Sequence, residues 1–155
     1  MKIAIVILGQ QNSGKSTTLR YLVNTYTRKD LSLLRYGWQQ LEPFDEIMML
    51  KLHSYFIPAS PSETNYKLVD RFKDLGYTPE ILFVAEQTDG RHRESTFQFL
   101  KENDYRVLKF PLSNEFGEGI WDRFKKNTEE EEKKLNDRTQ EIIAKLKEEI
   151  KAVLV

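Results

Sequence analysis

Eight residues near the start of the chain have the types and the spacing to bind phosphate groups. They begin at Gly9 and end with Gly14, Lys15 and Ser16, with four positions between the two glycines. Glycine lets the backbone turn tightly and approach a ligand without a Cβ in the way. Backbone N–H groups in such a loop, and in the first turn of a following helix, lack intrahelical partners and attract anions. The pattern therefore predicts a polyphosphate site.

Two side chains at the end of this loop have separate predicted roles. Lys15 would reach the β- and γ-phosphates of a nucleoside triphosphate as a point charge, and the Ser16 hydroxyl would bind the Mg²⁺ that bridges them. Thr17 continues the first helical turn, with its amide near the α-phosphate. The predicted binding residues are Gly9, Gln10, Gln11, Asn12, Ser13, Gly14, Lys15, Ser16 and Thr17.

The sequence on either side of the loop predicts the strand and the helix that such a loop requires. Residues 2–8 form an apolar, β-branched run, which is typical of a buried strand in a parallel sheet. After the loop, apolar residues recur at helical spacing, at Leu19, Leu22, Val23 and Tyr26.

The loop and its flanks together resemble the Walker A motif of the P-loop NTPase superfamily. The resemblance covers residues 1–27. It implies a nucleoside-triphosphate site on a parallel α/β sheet, in a superfamily that contains kinases, GTPases, ATPases and motors. GTPases of this superfamily read guanine with an Asn-Lys-x-Asp segment and sense the γ-phosphate with Asp-x-x-Gly, and neither occurs here. ATP is therefore the expected nucleotide, with Mg²⁺ as its metal.

A carboxylate should lie at the end of a sheet strand, where it can face the phosphates and the metal. Glu86 directly follows the apolar run 81–85, and Asp89 comes in the loop after it. Asp45 precedes its own apolar run, so it would lie at the opposite end of a parallel strand. Glu86 is the candidate for catalysis and Asp89 is the candidate for the metal, beside Ser16.

Two cations occupy the same predicted loop, which spans residues 87–93. Arg91 and Arg93 resemble the lid cations with which small kinases of the superfamily neutralise charge during phosphoryl transfer. They join Lys15 and Glu86 as candidate catalytic residues. The alternative is that both arginines are solvated loop charges.

Further apolar patterns predict an α/β fold of three layers around a parallel sheet, because strands alternate with helices along the chain. A long helix carrying many Lys and Glu residues is predicted over about 128–153, with Leu135, Ile142, Leu146, Ile150 and Val153 on one stripe. The other predicted strands are 33–38, 81–85 and 105–110, and the other predicted helices are 60–76 and 94–103. The apolar runs 47–50 and 55–57 fit either a hairpin or two neighbouring strands.

Length and composition favour one domain over residues 1–155. Lys plus Arg and Asp plus Glu are equal at 24 each, so no net field favours nucleic acid or an anionic membrane. The chain has no cysteine, which excludes thiolate sites and disulfides. Its opening apolar run is too short for a membrane span or a signal peptide, so a cytoplasmic location is expected.

Two kinds of function remain open from the sequence. The first is an enzyme that moves the γ-phosphate of ATP to water or to a small acceptor. The second is a regulatory module with little turnover, in which bound ATP orders a loop and the charged C-terminal helix carries the signal to a protein partner.

Overall fold

The apolar run at the start of the chain forms an inner strand of a five-stranded sheet, with a neighbouring strand on each side. The computed structural model describes residues 1–10, 13–42, 51–112, 119–122 and 124–154. Within these ranges the strands are β1 (Ile3–Gly9), β2 (Gly37–Leu41), β3 (Leu52–Ile57), β4 (Ile81–Gln87) and β5 (Arg106–Pro111). Their order across the sheet is β2-β3-β4-β1-β5.

Most of this sheet is parallel, but one edge is not. β1 pairs in parallel with β4 on one side and with β5 on the other, and β3 is parallel to β4. β2 runs antiparallel to β3. The sheet is therefore mixed, whereas the sequence predicted a parallel one. Only residues 42–51 connect β2 to β3, and a parallel crossover needs a dozen residues or more.

Helices cover both faces of the sheet and complete three layers. They are α1 (Lys15–Thr27), α2 (Pro61–Thr64), α3 (Leu68–Leu75), α4 (Arg93–Glu102) and α5 (Glu129–Leu154). Apolar residues of α1 and α5 share one core cluster with β1, while α3 and α4 contribute to the cluster on the other face. This α/β arrangement was predicted.

The predicted C-terminal helix is confirmed as α5, within one residue at each end. Its stripe of Leu135, Ile142, Leu146 and Ile150 is buried, and the last three share a core cluster with the sheet, as expected for an amphipathic helix. The side chain of Val153 lies outside the described residues. No helix in the described ranges has both the length and the apolar character needed to cross a bilayer.

Two predicted elements differ from those observed. The helix predicted over 60–76 is split into α2 and α3, because Asn65 adopts the left-handed conformation with φ of 53°. The strand predicted over 33–38 begins only at Gly37. Leu34 lies before it and is buried in the core cluster that contains residues of α1. Asp45 and the predicted run 47–50 lie outside the described residues.

Candidate functional site

A cavity of about 150 Å³ opens at the carboxyl ends of the parallel strands. The loop after β1 supplies most of its wall, from Ser13 to Thr17. Pro58 and Glu63 enter from the segment after β3, and Lys126 enters from the segment before α5. β4 and β5 flank β1 on opposite sides, and open α/β sheets bind ligands at the carboxyl ends of strands at such a reversal of strand order.

The amino end of α1 points its first-turn amides at this cavity. Gly14 precedes the helix with φ of 94°, a left-handed conformation that favours glycine, and no side chain caps the helix. The first turn of α1 contains no acidic residue, so no carboxylate of that turn offsets the positive end of the helix dipole. Ser13 adds a side-chain donor, since its Oγ is buried and has no hydrogen-bond partner within the described residues. This wall suits an anion.

Lys15 brings a buried cation to the same cavity. Its side chain is 5% exposed, and Nζ donates to the carbonyls of Gly9 at 3.2 Å and Gln10 at 2.8 Å. Nζ also lies 3.5 Å from Oε1 of Glu63. Burial lowers the pKa of the Lys15 ammonium group, while the carboxylates of Glu63 and Glu86 act in the opposite direction.

Glu63 is the carboxylate that lines the cavity, and the sequence interpretation missed it. Ser60 and Glu63 have the spacing of a capping box, and half of that motif forms, because Ser60 Oγ accepts from the Glu63 N–H at 3.1 Å. The Glu63 side chain lies against Lys15 and accepts from Gln87 Nε2 at 3.4 Å. The capping motif thus fixes the backbone of a residue whose carboxylate faces the cavity.

The loop after β4 holds α2 in place. Arg91 Nε donates to the Ser62 carbonyl at 3.1 Å, and the His92 N–H donates to Ser62 Oγ at 3.0 Å. A Cβ on Gly90 would lie 2.2 Å from Ser62 Oγ, so only glycine allows this approach. These contacts attach the strand that neighbours β1 to the short helix that carries Glu63.

The two predicted carboxylates occupy different surroundings. Glu86 is fully buried next to Leu8 of β1, and its oxygens accept from Thr96 Oγ1 at 2.7 Å and from the Gln87 N–H at 2.9 Å. Asp89 is exposed. Neither side chain is part of the described cavity wall.

The two predicted catalytic arginines are likewise not part of the described cavity wall. Arg91 is bonded to α2, as above. Arg93 opens α4, with its guanidinium 5.3 Å from the centre of the Phe97 ring. The structure therefore brings together the predicted Ser13, Gly14, Lys15, Ser16 and Thr17 with Glu63, Pro58 and Lys126, which were not predicted. Gln11 and Asn12 lie outside the described residues.

A buried arginine links α5 to the glycine loop. Arg138 is 2% exposed, and its Nη1 donates to Thr18 Oγ1 at 3.1 Å, while Thr18 Oγ1 donates to the Gly14 carbonyl at 2.7 Å. Its Nη2 donates to the Asp122 carbonyl. Burial lowers the pKa of Arg138 to about 10, so the group stays charged at neutral pH. Helical spacing from Leu135 and Ile142 places Arg138 beside the apolar stripe, which is the sequence signal that could have revealed it.

Arg138→Met tests whether this link supports the nucleotide site that the sequence predicts: it should weaken Mg-ATP binding by about ten-fold or more while changing the free energy of unfolding by less than about 2 kcal/mol. Methionine removes both the hydrogen bonds and the cost of burying a charge, and these effects oppose each other. The loss of the Thr18 contact leaves the loop less constrained. Calorimetry of nucleotide binding and urea denaturation measure the two quantities. A large loss of stability with unchanged affinity would mean that Arg138 only holds the fold.

Comparison of the chain with family models, with curated proteins and with solved structures finds no significant match.

Proposed function

We propose that this chain binds Mg-ATP as a P-loop protein and transfers the γ-phosphoryl group to a small acceptor. One observation carries the proposal: a buried cation, Lys15, and a carboxylate, Glu63, face each other 3.5 Å apart in a cavity walled by the amino end of a helix. Phosphoryl transfer needs positive charge at the phosphates and a group that receives the acceptor's proton. Both are present in one cavity.

The phosphates fit this cavity better than a whole nucleotide does. Its volume of about 150 Å³ is below the roughly 300 Å³ typical of pockets for complete small ligands. The first-turn amides of α1, the Ser13 hydroxyl and the Lys15 ammonium group would hold the phosphates. Lys126 would add a second, exposed positive charge at the rim.

The donors present also fit Mg²⁺. Ser16 offers a hydroxyl oxygen in this wall, and Mg²⁺ in phosphate sites takes few protein oxygens beside those of phosphates and water. Within the described residues no group of three or more His, Cys, Asp or Glu forms a separate metal site. Bound there, Mg²⁺ would neutralise charge on the phosphates; the predicted ligand Asp89 is not part of the described cavity wall.

The proposed reaction moves one phosphoryl group. As the acceptor oxygen forms a bond to the γ-phosphorus, the bond between that phosphorus and the β-phosphate oxygen breaks and ADP leaves. Glu63 would take the proton from the acceptor hydroxyl, and Lys15 would stabilise the charge that develops on the departing phosphates. Such an enzyme would act in the cytoplasm, where ATP is abundant.

Repeated formation of ADP tests the proposal. Purified protein with saturating Mg-ATP should release many ADP molecules per chain, faster with a suitable acceptor than with water alone. The dissociation constant for Mg-ATP is measured in parallel by calorimetry. Absence of any ATP binding would refute both the site and the reaction, whereas tight binding with less than one turnover would refute the reaction alone.

Two linked hydrogen bonds favour a second function, that of a regulatory module. Gly14, Thr18 and Arg138 connect the glycine loop directly to α5. The outer faces of α5 carry charged pairs such as Lys134 with Glu130. In this alternative, bound ATP would shift α5 and so change its affinity for a protein partner, and the turnover measurement above separates it from the enzyme.

A further inference from the structure

A second cavity, of about 490 Å³, adjoins the phosphate-binding cavity and is called the side cavity below. The two share Ser16 and Pro58. Its other lining residues within the described part of the chain are Leu33, Leu34, Arg35, Tyr36 and Ala59. This volume lies within the range of about 300–1,000 Å³ that small-molecule sites occupy.

The wall of the side cavity is held in place by α1 and α3. Asn24 of α1 donates to the Leu31 carbonyl at 3.1 Å and accepts from the Leu31 N–H at 2.9 Å, and Arg20 Nη1 donates to the Ser32 carbonyl at 2.6 Å. Leu34 is packed in the core. The Tyr36 ring lies 4.1 Å from the Arg71 guanidinium. The cavity is therefore preformed by hydrogen bonds and packing.

The described wall of the side cavity combines apolar side chains with one positively charged side chain. Leu33 is 61% exposed and Tyr36 is 42% exposed, although both are large and hydrophobic, and both line this cavity. Arg35 is the charged residue of the described wall. Exposed apolar side chains around one cation suit a ligand with a planar ring and a negative charge.

We infer that the side cavity binds the phosphoryl acceptor, and that the acceptor is an alcohol with an aromatic or heterocyclic ring and an anionic group. This inference rests on the proposed function. Ser16 is expected at the β- and γ-phosphates and Thr17 at the α-phosphate. Ser16 lines the side cavity and Thr17 is not among its described lining residues, so the cavity adjoins the terminal phosphate.

In this arrangement the acceptor hydroxyl lies between the side cavity and Glu63. Its oxygen forms the bond to the γ-phosphorus, its proton passes to the Glu63 carboxylate, and ADP leaves with the electron pair of the broken bond. The ring packs against Tyr36 and Leu33, and the negative charge pairs with Arg35.

Three sets of probes separate the features of the acceptor. The common ribonucleoside 3′-monophosphates carry a ring, a free primary hydroxyl and a negative charge. The corresponding nucleosides lack the charge, and glycerol 3-phosphate lacks the ring. Binding is measured by ligand-observed NMR in the presence of Mg²⁺ and a non-hydrolysable ATP analogue, which keeps probes out of the nucleotide site. At least one nucleoside monophosphate should bind about ten-fold or more tightly than both its nucleoside and glycerol 3-phosphate.

Substitutions then locate the binding. Tyr36→Ala and the cavity-filling Ala59→Trp should each weaken the best probe by about ten-fold or more, and Arg35→Ala should remove the preference for the charged probe. Tyr77→Ala is the matched control, since Tyr77 is 53% exposed against 42% for Tyr36 but lies in a different groove. All four variants should bind Mg-ATP as the parent does.

Separate outcomes test the acceptor site and the binding of Mg-ATP. If Mg-ATP binds and no probe does, or if Tyr36→Ala binds the probes as tightly as Tyr77→Ala, the acceptor assignment is wrong while the proposed function stands. If Ala59→Trp weakens Mg-ATP instead, the side cavity holds part of the nucleotide and the assignment is wrong. Failure of Mg-ATP to bind the parent protein would count against the proposed function itself.

Discussion

Lys15→Ala should weaken Mg-ATP binding by about 100-fold or more, because the ammonium group would make at least two hydrogen bonds to charged phosphate oxygens and each contributes about 1.5–3 kcal/mol. The fold should survive. Lys15 is buried as a charged group, so its removal relieves a desolvation cost while losing bonds to the carbonyls of Gly9 and Gln10. Calorimetric titration with Mg-ATP gives the affinity, and a thermal melt followed by circular dichroism shows that the variant is folded.

Lys126→Ala provides a graded comparison in the same cavity. Lys126 lines the wall but is exposed, so solvent screens its charge and its loss should cost less than about ten-fold in affinity. If a folded Lys15→Ala variant binds Mg-ATP as the parent does, the phosphate-binding assignment of the whole loop is wrong. Equal losses for Lys15 and Lys126 would instead indicate an unspecific attraction to positive charge.

The sequence predicted the central part of the fold because local patterns determine it. The run from Ile3 to Leu8 ahead of Gly9 is apolar at every position, which suits a strand buried on both faces. The stripe on α5 is long enough for its period to be read without ambiguity. The direction of β2 could not be read in this way. The direction of β2 depends on the path of the connection between β2 and β3. The residue pattern within a strand is the same whether the strand runs parallel or antiparallel to its neighbour.

The candidate site was predicted only where its residues are contiguous. Ser13 to Thr17 follow one another, so their spacing carries the motif. Glu63 follows β3 and Lys126 follows β5. Both line the same cavity as Lys15 and Ser16 only because of the order of the strands in the sheet. The position of Glu63 is also explained by its place as the last residue of a capping box. Nothing in the sequence therefore indicated a second role for this residue.

Glu63→Gln should lower the rate of ADP formation by about 100-fold or more, since a base contributes about 10²–10⁴ in rate and an amide cannot take up the acceptor's proton. Mg-ATP affinity should stay the same or rise. Glutamine keeps the shape of the side chain, and it removes a negative charge that lies 3.5 Å from Lys15 and would repel the phosphates. A fall in turnover combined with unchanged or tighter binding is expected for a group that acts mainly in the transition state.

Two other carboxylates serve as controls for this role. Asp89→Asn tests the predicted metal ligand, and Glu86→Gln tests the predicted catalytic residue at the end of β4. Glu86 is fully buried and already accepts two hydrogen bonds, and Asp89 is exposed outside the described cavity wall, so both variants should keep turnover within about ten-fold of the parent. If Glu86→Gln abolishes turnover and Glu63→Gln does not, the base is Glu86 and Glu63 only neutralises Lys15. If Glu63→Gln changes chiefly the Mg²⁺ concentration needed for turnover, Glu63 binds the metal, and the proton of the acceptor must leave by another route.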